Sequence, residues 1–128
     1  MRKTSDIKIF KDTETLIDII YRHRGELSRL NRIGAGERIF TALLDLVGAI
    51  IILNHYDPFE RAIKFDTTVL KQWELVKFLL TLAIRHKMYA SKTLCLLGQY
   101  IDSIETQLYS WKKYTDKYIK EHTAVKKQ

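Results

Sequence analysis

Hydrophobic residues recur along most of this chain at alternating spacings of three and four positions. One such stripe contains Ile9, Leu16, Ile20 and Leu27, and the clearest contains Leu94, Leu97, Ile101, Ile104, Leu108 and Trp111. This spacing places apolar side chains on one face of an α-helix, and no segment shows the strict alternation that is typical of a β-strand. The pattern predicts four helices, at roughly residues 6–25, 36–56, 67–87 and 90–120.

Polar residues and one proline mark the expected ends of these helices. Ser5 or Asp6 is expected to cap the first helix, and Asp66-Thr67-Thr68 is expected to cap the third. Asp57-Pro58 is expected to end the second, because the residue before a proline avoids the helical region. Four helices with short connections predict one domain, residues 1–128, folded as an up-down-up-down four-helix bundle.

Some helices carry apolar residues on a second face. Examples are Leu79 and Leu82 in the third helix, and Leu96 and Tyr100 in the fourth. A four-helix monomer would expose some of these side chains, and large exposed apolar patches mark interaction surfaces. The sequence therefore predicts that the bundle assembles into an oligomer.

The composition favours acidic partners. The chain has 22 Lys and Arg against 15 Asp and Glu, which gives a net charge of +7. Such a charge favours RNA, DNA, an anionic membrane surface or an acidic protein face. The longest apolar run is shorter than the ~20 residues that span a bilayer, and the N-terminus lacks the apolar segment of a signal peptide. We expect a cytoplasmic protein that does not enter membranes.

The stretch NRIGAGERIF, residues 31–40, raises the question of an enzyme's phosphate-binding loop. A dinucleotide fingerprint needs a preceding strand and a third glycine where Ile39 stands, and a Walker A loop needs a Gly-Lys-Ser/Thr ending. The two glycines instead predict a connection into a helix N-terminus, which can still bind a backbone phosphate.

The histidines and the single cysteine are not spaced as in a known catalytic or metal-binding motif. The four histidines form no metal-binding motif, and Cys95 is expected to be a small core residue. The sequence therefore predicts a protein without catalytic activity, cofactor or metal.

Arginines are concentrated at the start of the second helix and just before it. Five lie within seventeen residues: Arg22, Arg24, Arg29, Arg32 and Arg38. Arginine binds phosphate through paired hydrogen bonds. The cluster is either a solvated surface or a salt-sensitive nucleic-acid surface without sequence specificity.

Several landmarks resemble one known family. They are Arg32-Ile33-Gly34-Ala35-Gly36-Glu37-Arg38-Ile39 at the opening of a helix, Arg61 in a connector, and Leu108-x-x-Trp111-Lys112-Lys113 near the end. Over roughly residues 8–115 the chain resembles the four-helix-bundle superfamily of Avd, the accessory protein of diversity-generating retroelements, which also contains proteins encoded in rRNA intervening sequences.

The resemblance implies a pentameric barrel with a positive surface, which binds a reverse transcriptase and its template RNA and supports error-prone cDNA synthesis without catalysis of its own. It also implies that Arg32, Arg38, Arg61 and Lys112 are functional. The residues predicted to bind nucleic acid or a partner are Arg22, Arg24, Arg29, Arg32, Arg38, Arg61, Arg85, Lys112 and Lys113. The alternative is a small helical adaptor or scaffold that binds proteins only.

Overall fold

The computed structural model describes residues 7–126, and the side chains of residues 7–123. This part of the chain forms four helices and contains no strand, which confirms the predicted all-α architecture. Helix α1 is Lys8–Arg22, and α4 is Ser91–Lys126. Helix α2 runs through Arg29–Asn31, a π-helical turn at Arg32–Gly36, and Glu37–His55. Helix α3 runs through Pro58–Lys64, a π-helical turn at Asp66–Leu70, and Lys71–Arg85.

Polar contacts between the helices show that neighbours are antiparallel. Asp12 of α1 accepts hydrogen bonds from Ser103 and Gln107 of α4, while Glu26, just after α1, contacts Thr93 near the start of α4. Lys112 and Asp66 likewise join the late part of α4 to the early part of α3. Successive helices therefore run in opposite directions, as expected for an up-down-up-down four-helix bundle.

The first connection differs from the predicted one at both of its ends. Helix α1 ends at Arg22 rather than near Gly25, and a 3₁₀ turn follows at Arg24–Glu26. The expected capping residues of α1, Ser5 and Asp6, lie outside the described residues.

Helix α2 begins at Arg29 rather than near residue 36, because the Ser28 hydroxyl caps it by accepting a hydrogen bond from the Asn31 N–H at 3.2 Å. The expectation of a helix N-terminus at Gly34 and Gly36 is therefore wrong. Both glycines lie in the π-helical turn, inside the helical path.

The expected N-cap of α3 is also wrong. Asp57 caps the helix by accepting a hydrogen bond from the Glu60 N–H at 3.0 Å, and Pro58 takes the first helical position, where its missing N–H is harmless. Thr68 lies within the helix, where its hydroxyl donates to the Lys64 carbonyl at 2.7 Å. Asp57-Pro58 thus ends α2 and starts α3 at once, and Pro58–Lys64 forms helix rather than a connector.

The predicted apolar stripes meet in one core. Many of its members have no accessible surface, including Leu16, Leu43, Leu46, Ile50, Trp73, Leu80, Leu97, Ile104 and Leu108. Trp111 is half-buried and packs edge-on against Phe65, with ring centroids 5.4 Å apart. The helical periodicity therefore identified most of the core-facing residues, while Leu94 and Trp111 lie at the margin of the core.

Exposed apolar residues lie on different positions from those expected. Leu79, Leu82, Leu96 and Tyr100 are half-buried. The exposed aliphatic and phenylalanine side chains instead lie on α2 and α3: Leu30, Ile33, Leu44, Ile51, Ile52, Ile63, Leu75 and Phe78. In the described part of the chain, this apolar surface therefore lies on α2 and α3, whereas the expected examples lie on α3 and α4.

Candidate nucleic-acid interface

Glu26 joins the two connections at one end of the bundle. Its carboxylate accepts a hydrogen bond from the Ala90 N–H at 2.9 Å and from the Thr93 hydroxyl at 2.8 Å, and it pairs with His23 at 2.7 Å. These contacts bring the α1–α2 connection against the start of α4. We call this end, made of residues 22–38 and 85–92, the arginine end.

The Glu26 carboxylate stays ionised at neutral pH. Its partial burial raises its pKa, but the hydrogen bonds from Ala90 and Thr93 and the interaction with His23 outweigh that effect and leave the pKa below its ordinary value. The stabilisation from a lowered carboxyl pKa is present above the unfolded-state pKa and is lost as the pH falls through the folded-state value. At neutral pH these contacts of Glu26 are therefore fully formed.

Positive charge is concentrated at the arginine end. Its two segments contain only two carboxylates, Glu26 and Glu37. Their cationic residues are all exposed: Arg22, Arg24, Arg29, Arg32, Arg38, Arg85, Lys87 and Lys92. Six of the predicted binding residues thus come together, although Arg85 is far from the others in sequence.

Most of these guanidinium groups lack internal partners. In the described part of the chain, Arg22, Arg29, Arg38 and Arg85 form no ion pair or side-chain hydrogen bond. Exposed cations without carboxylate neighbours can neutralise the phosphates of a nucleic acid and so release the counterions condensed on it. This surface can therefore bind polyanions without breaking an internal contact.

Arg24 and Arg32 are held in place while keeping donors free. Arg24 donates to the Tyr21 carbonyl at 2.7 Å, and its guanidinium lies 4.0 Å from the centre of the Tyr21 ring. Arg32 donates to the Leu27 carbonyl at 3.3 Å. Because a guanidinium has several N–H groups, both residues can still bind an anion.

Three predicted residues lie away from this end. Arg61 donates to the carbonyls of Leu53, Asn54 and Tyr56, at 3.0–3.1 Å, and so caps the C-terminus of α2. Lys112 pairs with Asp66 at 2.6 Å and with Asp116 at 3.6 Å.

Lys113 is exposed on α4. Its neighbour Lys112 has a raised pKa, chiefly because of the Asp66 hydrogen bond. Arg61 and Lys112 therefore hold the fold together, whereas Lys113 is accessible at the opposite end.

The arginine end also contains a cavity of about 490 Å³. It lies between the end of α1, the first connection and the start of α2, and Tyr89 forms part of its wall. Its lining includes the aromatic residues Tyr21, Phe40 and Tyr89, together with Arg24, Arg32, Glu37 and Thr41. The Tyr21 and Phe40 rings lie 6.3 Å apart.

A second groove lies between α2 and α3, next to the first. Its volume is about 470 Å³, and its apolar lining includes Ile33, Leu75 and Leu79. Arg38 and Asp45 also line it. An apolar groove bordered by charges suits a protein partner better than a polyanion.

Sequence reasoning missed Glu26, Tyr21 and Tyr89. The local pair with His23 does not reveal the role of Glu26, because the partners that join the two connections, Ala90 and Thr93, lie 64 and 67 positions away in sequence. Tyr89 follows the end of α3 and is buried only because the chain folds back there. The expectation that Cys95 is a core residue is wrong, since Cys95 is exposed.

Comparisons with known proteins do not identify a family for this chain. No family model, curated protein or solved structure matches the chain. In the described part of the chain, no cluster of three or more His, Cys, Asp or Glu residues could hold a metal ion. None of the described helices combines the length and apolar character needed to cross a bilayer.

Proposed function

We propose that this protein is a non-catalytic accessory factor that binds nucleic acid through the arginine end. The observation that carries the proposal is the set of exposed arginines that lie in and beside two connections at one end of the bundle, with only two carboxylates in the same segments. Since such a surface contacts phosphate rather than base edges, it binds RNA and DNA without strong sequence preference.

The proposal extends to the partners that the resemblance to Avd implies. The factor binds a retroelement reverse transcriptase and its template RNA, and it supports mutagenic cDNA synthesis as a homopentamer. Exposed apolar side chains on α2 and α3, such as Ile52 and Phe78, at 53% and 58% exposure, support the assembly part of the proposal. Apolar surface of this kind is what subunits or partners bury.

The first test replaces Arg29, Arg32 and Arg38 together with Glu and measures RNA binding by fluorescence anisotropy. We expect binding to fall at least about 100-fold, because phosphate contacts are lost and repulsion is added. The matched control replaces Lys11, Lys71 and Lys120 with Glu; these exposed lysines lie away from the arginine end and their substitution changes the net charge equally.

Equal losses in the two triple variants would mean that only net charge matters and would overturn the arginine end as the binding surface. Circular dichroism is used to check that both variants keep their helices. Binding by the wild-type protein should also weaken steeply with added salt.

A second candidate function is a helical adaptor that binds proteins only. The apolar groove between α2 and α3 favours it, since Ile33, Leu75 and Leu79 form a recess next to charged residues. The adaptor would capture a reverse transcriptase or another protein but would bind no RNA at any salt concentration. Measurement of RNA binding at low salt therefore separates the two functions.

A further inference from the structure

The cavity at the arginine end has the chemistry of a nucleotide site. Its volume, about 490 Å³, falls within the range of small-molecule sites. Apolar side chains from Ile20 and Leu27 and three aromatic rings line it. This lining suits a flat, weakly hydrated group better than a bare ion.

The charges of the cavity favour an anion next to that flat group. Arg24 and Arg32 both contribute to the lining, against the single carboxylate of Glu37. Each arginine is fixed by one backbone carbonyl and keeps further N–H groups available. A guanidinium that is already positioned loses little conformational freedom when it binds phosphate.

The aromatic residues supply stacking surfaces beside these cations. Tyr21 is 53% exposed, and the guanidinium of Arg24 already lies over its ring. The Phe40 ring is tilted by 40° from that of Tyr21. Unpaired bases stack on aromatic rings and on arginine planes in single-strand binding proteins.

We propose that this cavity takes one unpaired nucleotide of a single strand, with its base against Tyr21 and Phe40 and its phosphate on Arg24 and Arg32. The proposal rests on the proposed nucleic-acid-binding function and states how one nucleotide of the strand is held. It means that the protein holds nucleic acid by capturing a base as well as by attracting the backbone.

Base capture predicts a preference that charge alone does not. A duplex presents more phosphate charge per unit length than a single strand, so a purely electrostatic surface binds it at least as well. The bases of a duplex are stacked and paired, and one would have to be extruded to enter the cavity. The protein should therefore prefer single strands.

The experiment compares a fluorescently labelled, unstructured RNA of about 12 nucleotides with the duplex of the same sequence, at about 0.15 M salt. We expect tighter binding of the single strand. Tyr21→Ala should weaken single-strand binding by about 5- to 100-fold, the usual effect of losing one stacked base, and should weaken duplex binding much less, because every positive charge is kept.

Two further variants separate stacking from other effects. Tyr21→Phe keeps the ring and should bind like the wild type. Tyr109→Ala is the matched control, because Tyr109 is similarly exposed, at 46%, but lies on α4 away from the cavity. The salt dependence of Tyr21→Ala should equal that of the wild type, since no charge is removed.

The possible failures are distinguishable. If neither single strand nor duplex binds, the proposed nucleic-acid function fails and the base site fails with it. If both bind equally and Tyr21→Ala behaves like Tyr109→Ala, the nucleic-acid function stands and base capture is overturned.

Discussion

Gly36 occupies a position in which even one methyl group lacks space. A Cβ atom there would lie 2.6 Å from Leu27 Cδ1 and 3.2 Å from the Asn31 carbonyl oxygen. Leu27 is buried, and the Asn31 carbonyl belongs to the backbone of the helix and cannot turn aside. The glycine therefore lets the first connection pack closely against the π-helical turn of α2.

We expect Gly36→Ala to destabilise the protein by about 1–2 kcal/mol, because the cost of overpacking exceeds the gain in helix propensity. Gly34→Ala is the matched control: it lies in the same turn, and nothing lies within 4 Å of its added Cβ. It should stabilise by about 0.5–1 kcal/mol. Urea unfolding of both variants measures the difference, and equal effects would contradict the packing argument.

Tyr89 buries a hydroxyl group that has no hydrogen-bond partner among the described residues. Burial, with a smaller contribution from the charge of Glu26, raises its pKa to about 12. Tyr89→Phe removes the unsatisfied oxygen while keeping the ring. We expect it to stabilise the fold by about 1 kcal/mol or more at neutral pH.

The same variant should change the alkaline stability. The unfolded chain loses the tyrosine proton near pH 10, whereas the folded chain keeps it to about pH 12. The titration of Tyr89 therefore leaves the free energy of unfolding unchanged below about pH 10 and lowers it as the pH rises towards about 12. Denaturant unfolding at several alkaline pH values should show a shallower decline for Tyr89→Phe; an identical decline would mean that the hydroxyl is solvated.

At the level of the helices, two π-helical turns join segments that the periodicity treated as separate. In α3 the Leu70 N–H bonds to the Phe65 carbonyl, five positions back, at 3.2 Å. Because a π-helical turn is wider than an α-helical turn, side chains on either side of it face directions that a constant helical period does not predict. Phe65 and Val69, which lie four positions apart at this turn, are both buried. The helix therefore continues through this turn, although the sequence pattern predicted that the helix would start within it.

The junction between α2 and α3 depends on Arg61. The last carbonyls of a helix lack partners within it, and Arg61 supplies N–H donors to three carbonyls there. We expect Arg61→Ala to cost about 2 kcal/mol, and Arg61→Lys to recover only part of it, because an ammonium group lacks the planar fork.

Thermal unfolding measures the effect of Arg61→Ala, and Arg85→Ala is the control, because Arg85 is exposed and should stay within about 0.5 kcal/mol of the wild type. RNA binding by Arg61→Ala should remain intact at a temperature where the variant is folded. Loss of RNA binding there would place Arg61 on the interface instead.

Across the whole molecule, charge and apolar surface overlap only in part. Leu30 and Ile33 are exposed within the arginine end, whereas the other exposed aliphatic residues and a phenylalanine run along α2 and α3 outside it. This division lets one surface bind a polyanion while another is covered by protein. It agrees with a protein that assembles and binds nucleic acid at the same time.

We expect light scattering at moderate salt to give a mass of about 75 kDa, five times the 15.1 kDa chain. Phe78→Glu should reduce the mass to that of a monomer, because a charge buried without a partner is costly. Tyr114→Glu, a change at a similarly exposed position on α4, should leave the mass unchanged. A monomeric wild type would contradict the pentamer.

The fold class and most of the core follow from the order of the amino acids alone. Helical periodicity is a local property, so it is enough to identify Leu43, Leu80 and Leu97 as core-facing. The arginines of residues 22–38 are also close in sequence, and their grouping needs no tertiary information. Helix boundaries are less predictable, because Ser28 and Asp57 compete with other capping residues of equal propensity.

The construction of the candidate site, in contrast, depends on tertiary packing. The antiparallel helices bring Arg85 to the α1–α2 connection, and Glu26 holds the two connections together across 64 positions. The cavity exists because Tyr89 folds back against residues that precede it by about half the chain. Arg61 and Arg38 look alike in the sequence, but the unpaired carbonyls at the end of α2 engage only Arg61. Contacts such as those of Glu26 and Tyr89 leave no periodic trace in the sequence, since they depend on which surfaces meet after the helices have formed.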